Sequence, residues 1–169
     1  MGAGKTCIGR ELSGRLGIPF VDADTEIEAA AGCAIDDIFR IYGEREFRDG
    51  ERRVLARLLD GSIQVLATGG GAFMDPDTRQ KTHDKAISIW LRADLDLLVS
   101  RVGRRSNRPL LKGKNARAVL SKLIEERYPV YAEANITVDS GRESPELTVE
   151  RVMQGLEEFL RSGDTETAA

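Results

Sequence analysis

Short apolar segments alternate with helix-periodic ones along the chain, and this order constrains the fold more than any other feature. Ile8, Leu12 and Leu16 recur at four-residue spacing before Gly17, which predicts a helix over 5–16. Pro19-Phe20-Val21 is a short strand ending at Asp22. Thr25 and Glu28 stand at capping-box spacing at the start of a helix to Ala31. Helices are expected over Ile35–Tyr42 and Glu44–Leu59, then a buried strand over Gln64–Ala67 closed by Thr68-Gly69-Gly70-Gly71. A short helix over Asp77–His83, a strand over Ala86–Leu91 and a helix over Leu95–Val102 follow. Residues 103–115, rich in Gly, Arg, Lys and Asn, are expected to form a mobile loop. A helix over Ala116–Tyr131 is expected to kink or end early at Pro129. A strand over Ile136–Val138 and a helix over Glu146–Leu160 complete the pattern, with a frayed tail over 163–169. Such alternation implies an α/β fold of three layers, α/β/α, around a parallel sheet. Ligands then bind beyond the carboxyl ends of the strands.

Composition narrows the class. A chain of 169 residues suits one domain, here expected over 1–162. With 25 Lys+Arg against 28 Asp+Glu and a net charge of −3, bulk electrostatic binding to nucleic acid is excluded. No apolar run approaches the roughly 20 residues that cross a bilayer, and no signal-peptide pattern opens the sequence. Cys7 and Cys33 have no metal or redox spacing, so reduced thiols and a cytoplasmic location are expected. His83 is expected at the surface, and Cys7 and Trp90 are expected to pack in the interior.

Three junctions at expected strand ends or helix starts carry chemistry. Gly2-Ala3-Gly4-Lys5-Thr6 is the second half of a G-x-x-x-x-G-K-[ST] loop entering a helix. Its glycines let backbone N–H groups turn around phosphate oxygens, and the helix N-terminus adds positive character. Lys5 would reach the β- and γ-phosphates and Thr6 would bind Mg²⁺. The same residues also suit a plain helix start. Asp22-Ala23-Asp24 places two carboxylates after a strand, as metal holder and acceptor base or simply as helix caps. Thr68-Gly69-Gly70-Gly71 lets a ligand approach the backbone, or acts as a flexible turn. Arg48 and Arg127 suit a carboxylate through bidentate pairing, or a solvated helix face. Arg104, Arg105 and Arg108 suit a lid over phosphates.

In order and spacing, Gly-Ala-Gly-Lys-Thr, Asp22-x-Asp24, Phe47-Arg48 with Glu51, Thr68-Gly69-Gly70-Gly71, Arg108-Pro109-Leu110-Leu111 and Arg127-x-Pro129-x-Tyr131 resemble the shikimate kinases. The resemblance runs from Met1 to about Leu160. It implies a P-loop, nucleoside-monophosphate-kinase-like fold with a mobile lid, MgATP as donor, and phosphorylation of the 3-hydroxyl of shikimate on the cytoplasmic route to chorismate. By the same resemblance Lys5 and the backbone of Gly2, Ala3 and Gly4 cradle phosphate, Thr6 ligates Mg²⁺ directly and Asp22 holds it through water. Asp24 binds the substrate hydroxyls and is the candidate base. Arg48, Gly70 and Arg127 bind the substrate, the arginines at its carboxylate, and Arg108 reaches the phosphates. Arg101 and the segment from Arg142 to Pro145 fall where the family contacts adenine. A monomer with ATP and shikimate as its small-molecule partners is expected, acting on no nucleic acid or membrane.

The alternatives are another small-molecule P-loop kinase of gluconate type, or a nucleotide-binding module with little turnover. The latter is suggested by the start of the chain. The first glycine of the phosphate-loop pattern would fall two positions before Met1. A strand leading into such a loop is central to the sheet, and losing it would leave buried backbone groups unpaired, at about 1–3 kcal/mol each. Met1 is therefore expected to be an internal methionine of a longer natural protein.

Overall fold

A computed structural model describes residues 2–103 and 115–166, with side chains as far as residue 162. The chain forms two compact units, Ser13–Ala86 and Met1–Leu12 with Ile87–Ala169. The helix α1 spans Lys5–Leu16, as its periodicity predicts.

Within Ser13–Ala86, β1 (Phe20–Asp22) runs parallel to β2 (Val65–Ala67), pairing Phe20 with Val65 and Asp22 with Ala67. The polar residues after both strands therefore leave the same, carboxyl end of this small sheet. Helix α2 covers Ala23–Ala31, beginning two residues earlier than expected. Asp22 is its cap, accepting from the Asp24 N–H at 3.1 Å. With the helix begun at Ala23, Thr25 already lies inside its first turn, so the Thr25–Glu28 capping box does not form. Glu28 instead accepts from the Ile35 N–H at 2.9 Å, fastening the end of α2 to the start of α3 (Ile35–Ile41). Gly32, at φ 68°, closes α2 in a left-handed conformation that glycine adopts without penalty.

Helix α4 spans Gly43–Leu59 and carries one face into two apolar clusters. Phe47, Val54 and Leu58 pack with Ile27 of α2 and Ile38 of α3. Leu55, 1% exposed, packs with Ala23 and Ala72. Ala72 opens a 3₁₀ turn, Ala72–Met74, that follows the glycine run. Helix α5 (Pro76–Lys85) has Asp75 as its cap, accepting from the Thr78 N–H at 2.8 Å, and Pro76 in its first turn.

In the other unit, β3 (Ile89–Arg92) runs parallel to β4 (Ile136–Asp139). The expected strand over 86–91 starts later because Ala86 ends α5 and Ser88 is taken up by a side chain. The Ser88 N–H and Oγ–H both donate to Asn135 Oδ1, at 2.9 and 2.7 Å. At the far end the opposed Arg92 and Asp139 form a two-pronged pair at 2.6 and 2.8 Å. Helix α6 (Leu95–Gly103) is capped by Asp94 and packs Leu97, Leu98 and Val102 against Leu120 of α7. Helix α7 spans Ala116–Tyr131, capped by Asn115. Pro129 does not end it early: α7 runs on to Tyr131, and the Ala132 N–H that caps it donates to the Tyr128 carbonyl. The Tyr128 hydroxyl donates to the Ala93 carbonyl, and Trp90 meets the Tyr128 ring edge-on at 4.8 Å. Trp90 is thus half-buried against α7, not enclosed in the core.

Helix α8 spans Pro145–Glu166, so its backbone continues beyond residue 162, where a frayed tail was expected to begin. Val149 and Val152 of α8 are fully buried. Cys7 is exposed, contrary to the packing expected of it, and His83 is exposed as expected. The loop expected over 103–115, with Arg104, Arg105 and Arg108, lies at residues 104–114 outside the described residues. Gly103 closes α6 and Asn115 caps α7. All strand pairing among the described residues is parallel, as the alternation requires, but it occurs in two separate two-stranded sheets. No helix among the described residues is long and apolar enough to cross a membrane.

Leu55 anchors α4 beneath two of the polar junctions. Leu55→Ala is expected to lower unfolding free energy by about 2–5 kcal/mol. The same truncation of Ile41, 56% exposed, should cost less than about 1 kcal/mol. Urea denaturation midpoints check this, and equal losses at the two positions would contradict it.

Candidate active site

Two polar clusters are assembled, one in each unit. The first lies on the Leu55 floor in Ser13–Ala86. Ala23 precedes Asp24, Ala72 follows Gly71, and Glu51 stands one helical turn before Leu55. Packing three small or apolar groups therefore brings together the first turn of α2, the glycine run and one face of α4.

On that face Arg48 is held from both sides. Its Nη1 donates to Glu51 Oε2 at 2.6 Å and its Nη2 to Glu44 Oε1 at 3.3 Å. These are i,i+3 and i,i−4 partners, the spacings at which helix side chains meet. The guanidinium also lies 5.0 Å from the centre of the Phe47 ring. Glu51 is buried, whereas the Arg48 side chain keeps 32% of its surface open. A hydrogen-bonded arginine with a partly open fork is ready for a carboxylate from outside.

The glycines after β2 are what allow this approach. A Cβ on Gly71 would stand 2.4 Å from Arg48 Nη1. One on Gly69 would stand 2.9 Å from Glu51 Oε1 and 3.4 Å from Asp24 Oδ1. The charged heads of Arg48, Glu51 and Asp24 thus lie against bare backbone. Sequence reasoning placed Asp24, Arg48 and Gly70 in this neighbourhood, and the structure brings them to one wall. It quoted Glu51 beside Arg48 without giving it a role, although the three-residue spacing on a helix was the signal. Gly69 and Gly71, not singled out from their run, are the positions where a side chain would collide.

Burial pushes the Glu51 carboxyl above its ordinary range, and the nearby negative charge of Asp24 adds to this. The Arg48 hydrogen bond and charge oppose it without cancelling it. This is the cost of a buried acid that has one partner.

The second cluster lies at the start of α1. Gly2 and Gly4 have φ of 78° and 93°, conformations that favour glycine, and Ile8 N–H donates to the Gly4 carbonyl as the first bond of the helix. Lys5 and Thr6 stand in the first turn. Arg101, on the last turn of α6, donates to the carbonyls of Gly2 and Ala3 at 3.3 and 3.4 Å. It also reaches Ser140 Oγ at 3.0 Å and the Gly141 carbonyl at 2.6 Å. Ser140, buried just after β4, donates to the Ala3 carbonyl at 3.2 Å. The guanidinium that the resemblance assigns to adenine is therefore engaged with the loop backbone. No sequence pattern pointed to Ser140.

Arg127 is half-buried on α7 and Arg142 is exposed between β4 and α8, both in the same unit as this loop. Asp22 caps α2 in the unit that holds Arg48. Arg108 lies outside the described residues. No group of three or more His, Cys, Asp or Glu residues suited to a metal occurs among the described residues. Thr6, a hydroxyl in the first turn of α1, and Asp22, a carboxylate at the end of β1, are oxygen donors of the chemical kind that Mg²⁺ takes while keeping several waters.

The raised Glu51 pKa has a definite sign in stability. Its contribution is full below the unfolded value of 4.5 and is lost as pH rises through the higher folded value. Asp60 and Asp139, held low by Lys81 and Arg92, act in the opposite sense at lower pH and are common to wild type and variant. Above pH 4.5 the wild type should therefore lose stability relative to Glu51→Gln. Denaturation midpoints measured from pH 4 to 7 would contradict this if the two curves stayed parallel.

Known proteins resemble this chain over most of its length. The family model described as shikimate kinase matches residues 1–157. A shikimate kinase of Paramagnetospirillum magneticum is 57% identical over 160 residues, covering 95% of this chain and 82% of that protein. Shikimate kinase from Acinetobacter baumannii in complex with shikimate superposes with a TM-score of 0.89 at 36% identity, covering 94% of this chain and 89% of its own. A gluconokinase from Sinorhizobium meliloti superposes at 0.62 with 16% identity, a likeness of fold alone. On a match over residues 1–157 and on relatives more than half identical, the chain belongs to the shikimate kinase family.

Proposed function

We propose that the chain transfers the γ-phosphate of ATP to the 3-hydroxyl of shikimate, as a cytoplasmic, monomeric enzyme working as one domain over residues 1–162. The observation that carries this reading is Arg48, hydrogen-bonded to buried Glu51 at 2.6 Å and lying against Gly71, with Asp24 against Gly69 on the same wall. One cation for an acid, one carboxylate for hydroxyls and an uncovered backbone suit a small polyhydroxylated acid.

In this reading Arg48 and Arg127 bind the substrate carboxylate, Gly70 offers its backbone, and Asp24 binds hydroxyls and accepts the proton of the attacking one. Gly2, Ala3, Gly4 and Lys5 hold the nucleotide phosphates, with Arg108 adding charge there and Arg142 near the base. Thr6 and Asp22 would hold Mg²⁺, which when bound neutralises phosphate charge. Phosphoryl transfer asks little covalent help of the protein, so positioning and charge should supply most of the acceleration.

ADP release coupled to a colour change, measured with shikimate and with gluconate, separates this reading from a gluconate-type kinase. ADP formation should depend on shikimate, and dependence on gluconate alone would contradict the reading. Arg48→Ala should raise KM for shikimate about 10- to 100-fold with kcat changed much less, the loss of a charge-assisted pair. Asp24→Asn should instead lower kcat by about 10²-fold or more. Unchanged kinetics in either variant would remove that residue from its role.

A further inference from the structure

We propose that Arg101 and Ser140 are positioning residues of the phosphate loop, holding it in its anion-binding orientation before the nucleotide arrives. This rests on the reading of Gly2–Thr6 as the phosphate site, and assigns to Arg101 work other than contact with the base.

The described peptide bonds are all trans, so the carbonyl and N–H of each planar unit point in opposite directions. The carbonyl of Gly2 shares its peptide with the Ala3 N–H, and that of Ala3 with the Gly4 N–H. Arg101 takes both carbonyls, at 3.3 and 3.4 Å, and Ser140 takes the second again at 3.2 Å. The Ala3 and Gly4 N–H groups are thereby turned to the opposite side, next to the N-terminus of α1. Two amides and a helix start presented together form a nest for an anion.

Gly2 and Gly4 flank the two peptides, and glycine tolerates the rotations that would exchange carbonyl for N–H. A carbonyl oxygen turned toward a phosphate would repel it. Arg101 can resist this rotation because it is itself tied down. Its guanidinium bonds Ser140 Oγ at 3.0 Å and the Gly141 carbonyl at 2.6 Å, fastening the last turn of α6 to the segment after β4. The loop is seated on α6 as well, since a Cβ on Gly2 would come within 3.3 Å of Val102 and 3.4 Å of Leu98.

The test uses the full chain and two probes, MgATP and Mg-tripolyphosphate, the second having phosphates but no base. Affinities are measured by calorimetry for wild type, Ser140→Ala, Ser140→Thr, Arg101→Ala and Arg101→Lys, with denaturation midpoints alongside. Ser140→Ala, which changes no charge, should weaken both probes by the same factor, about 2- to 10-fold, and Ser140→Thr should restore it. Arg101→Ala and Arg101→Lys should weaken both probes by more than about tenfold, because a lysine keeps the charge but has one nitrogen, which cannot serve the loop carbonyls that Nη1 takes and the Gly141 carbonyl that Nη2 takes. The proposal is overturned if Arg101→Ala weakens MgATP but not tripolyphosphate, since that is base contact. It is also overturned if Arg101→Lys is fully restored, since charge alone then suffices, or if Ser140→Ala binds as wild type. Should Arg101→Ala not fold, the Ser140 pair decides the matter. Failure of the wild type to bind either probe would overturn the phosphate-site reading itself, and this proposal with it.

Discussion

The pair between Arg48 and Glu51 is the interaction on which the proposed acceptor site depends, because two opposite charges meet there against bare backbone. Glu51 is buried at a position where an unpaired acid would be costly, and its carboxyl is pushed upward even with Arg48 beside it. Removing one partner of such a pair is far more damaging than replacing both. What the pair provides is direction. Glu51 and Glu44 hold the fork from two turns of α4, so an incoming carboxylate meets an arginine already oriented. The Leu55 cluster beneath it ties this orientation to α2 and to the glycine run, and thus to Asp24.

The proposed phosphate site follows the same logic with backbone instead of side chains. Arg101 and Ser140 spend their hydrogen bonds on carbonyls, and the amides on the other side of those peptides are what remains for an anion. In both halves a buried or tethered polar group orients the group that would touch substrate. For phosphoryl transfer, where the transition state is stabilised by placed charge, such prior orientation avoids reorganisation during the reaction.

Much of this was legible in the sequence, for identifiable reasons. Strand and helix order followed from periodicity, which survives in one dimension, so α1 and α7 were predicted over their full observed spans. Asp24, Arg48 and Gly70 stood out because they sit at strand ends or in spaced motifs. Missed features depended on partners remote in sequence. Ser140 meets Ala3 across most of the chain, and Ser88 leaves its strand for Asn135. The Thr25–Glu28 capping box failed because Asp22 captured the helix start first and Glu28 found Ile35. The early end allowed for at Pro129 does not occur, since α7 runs on to Tyr131.

The central claim is that Arg48, held by Glu51, reads the carboxylate of shikimate. A cycle of four affinities addresses it directly: shikimate and its methyl ester, each with wild type and with Arg48→Ala. Esterification should weaken binding to the wild type by more than about tenfold. With Arg48→Ala the same change should cost only a few-fold, a coupling of roughly 1 kcal/mol or more. Equal losses in the two proteins would show that Arg48 and the carboxylate do not meet, and the account of the acceptor site would fail.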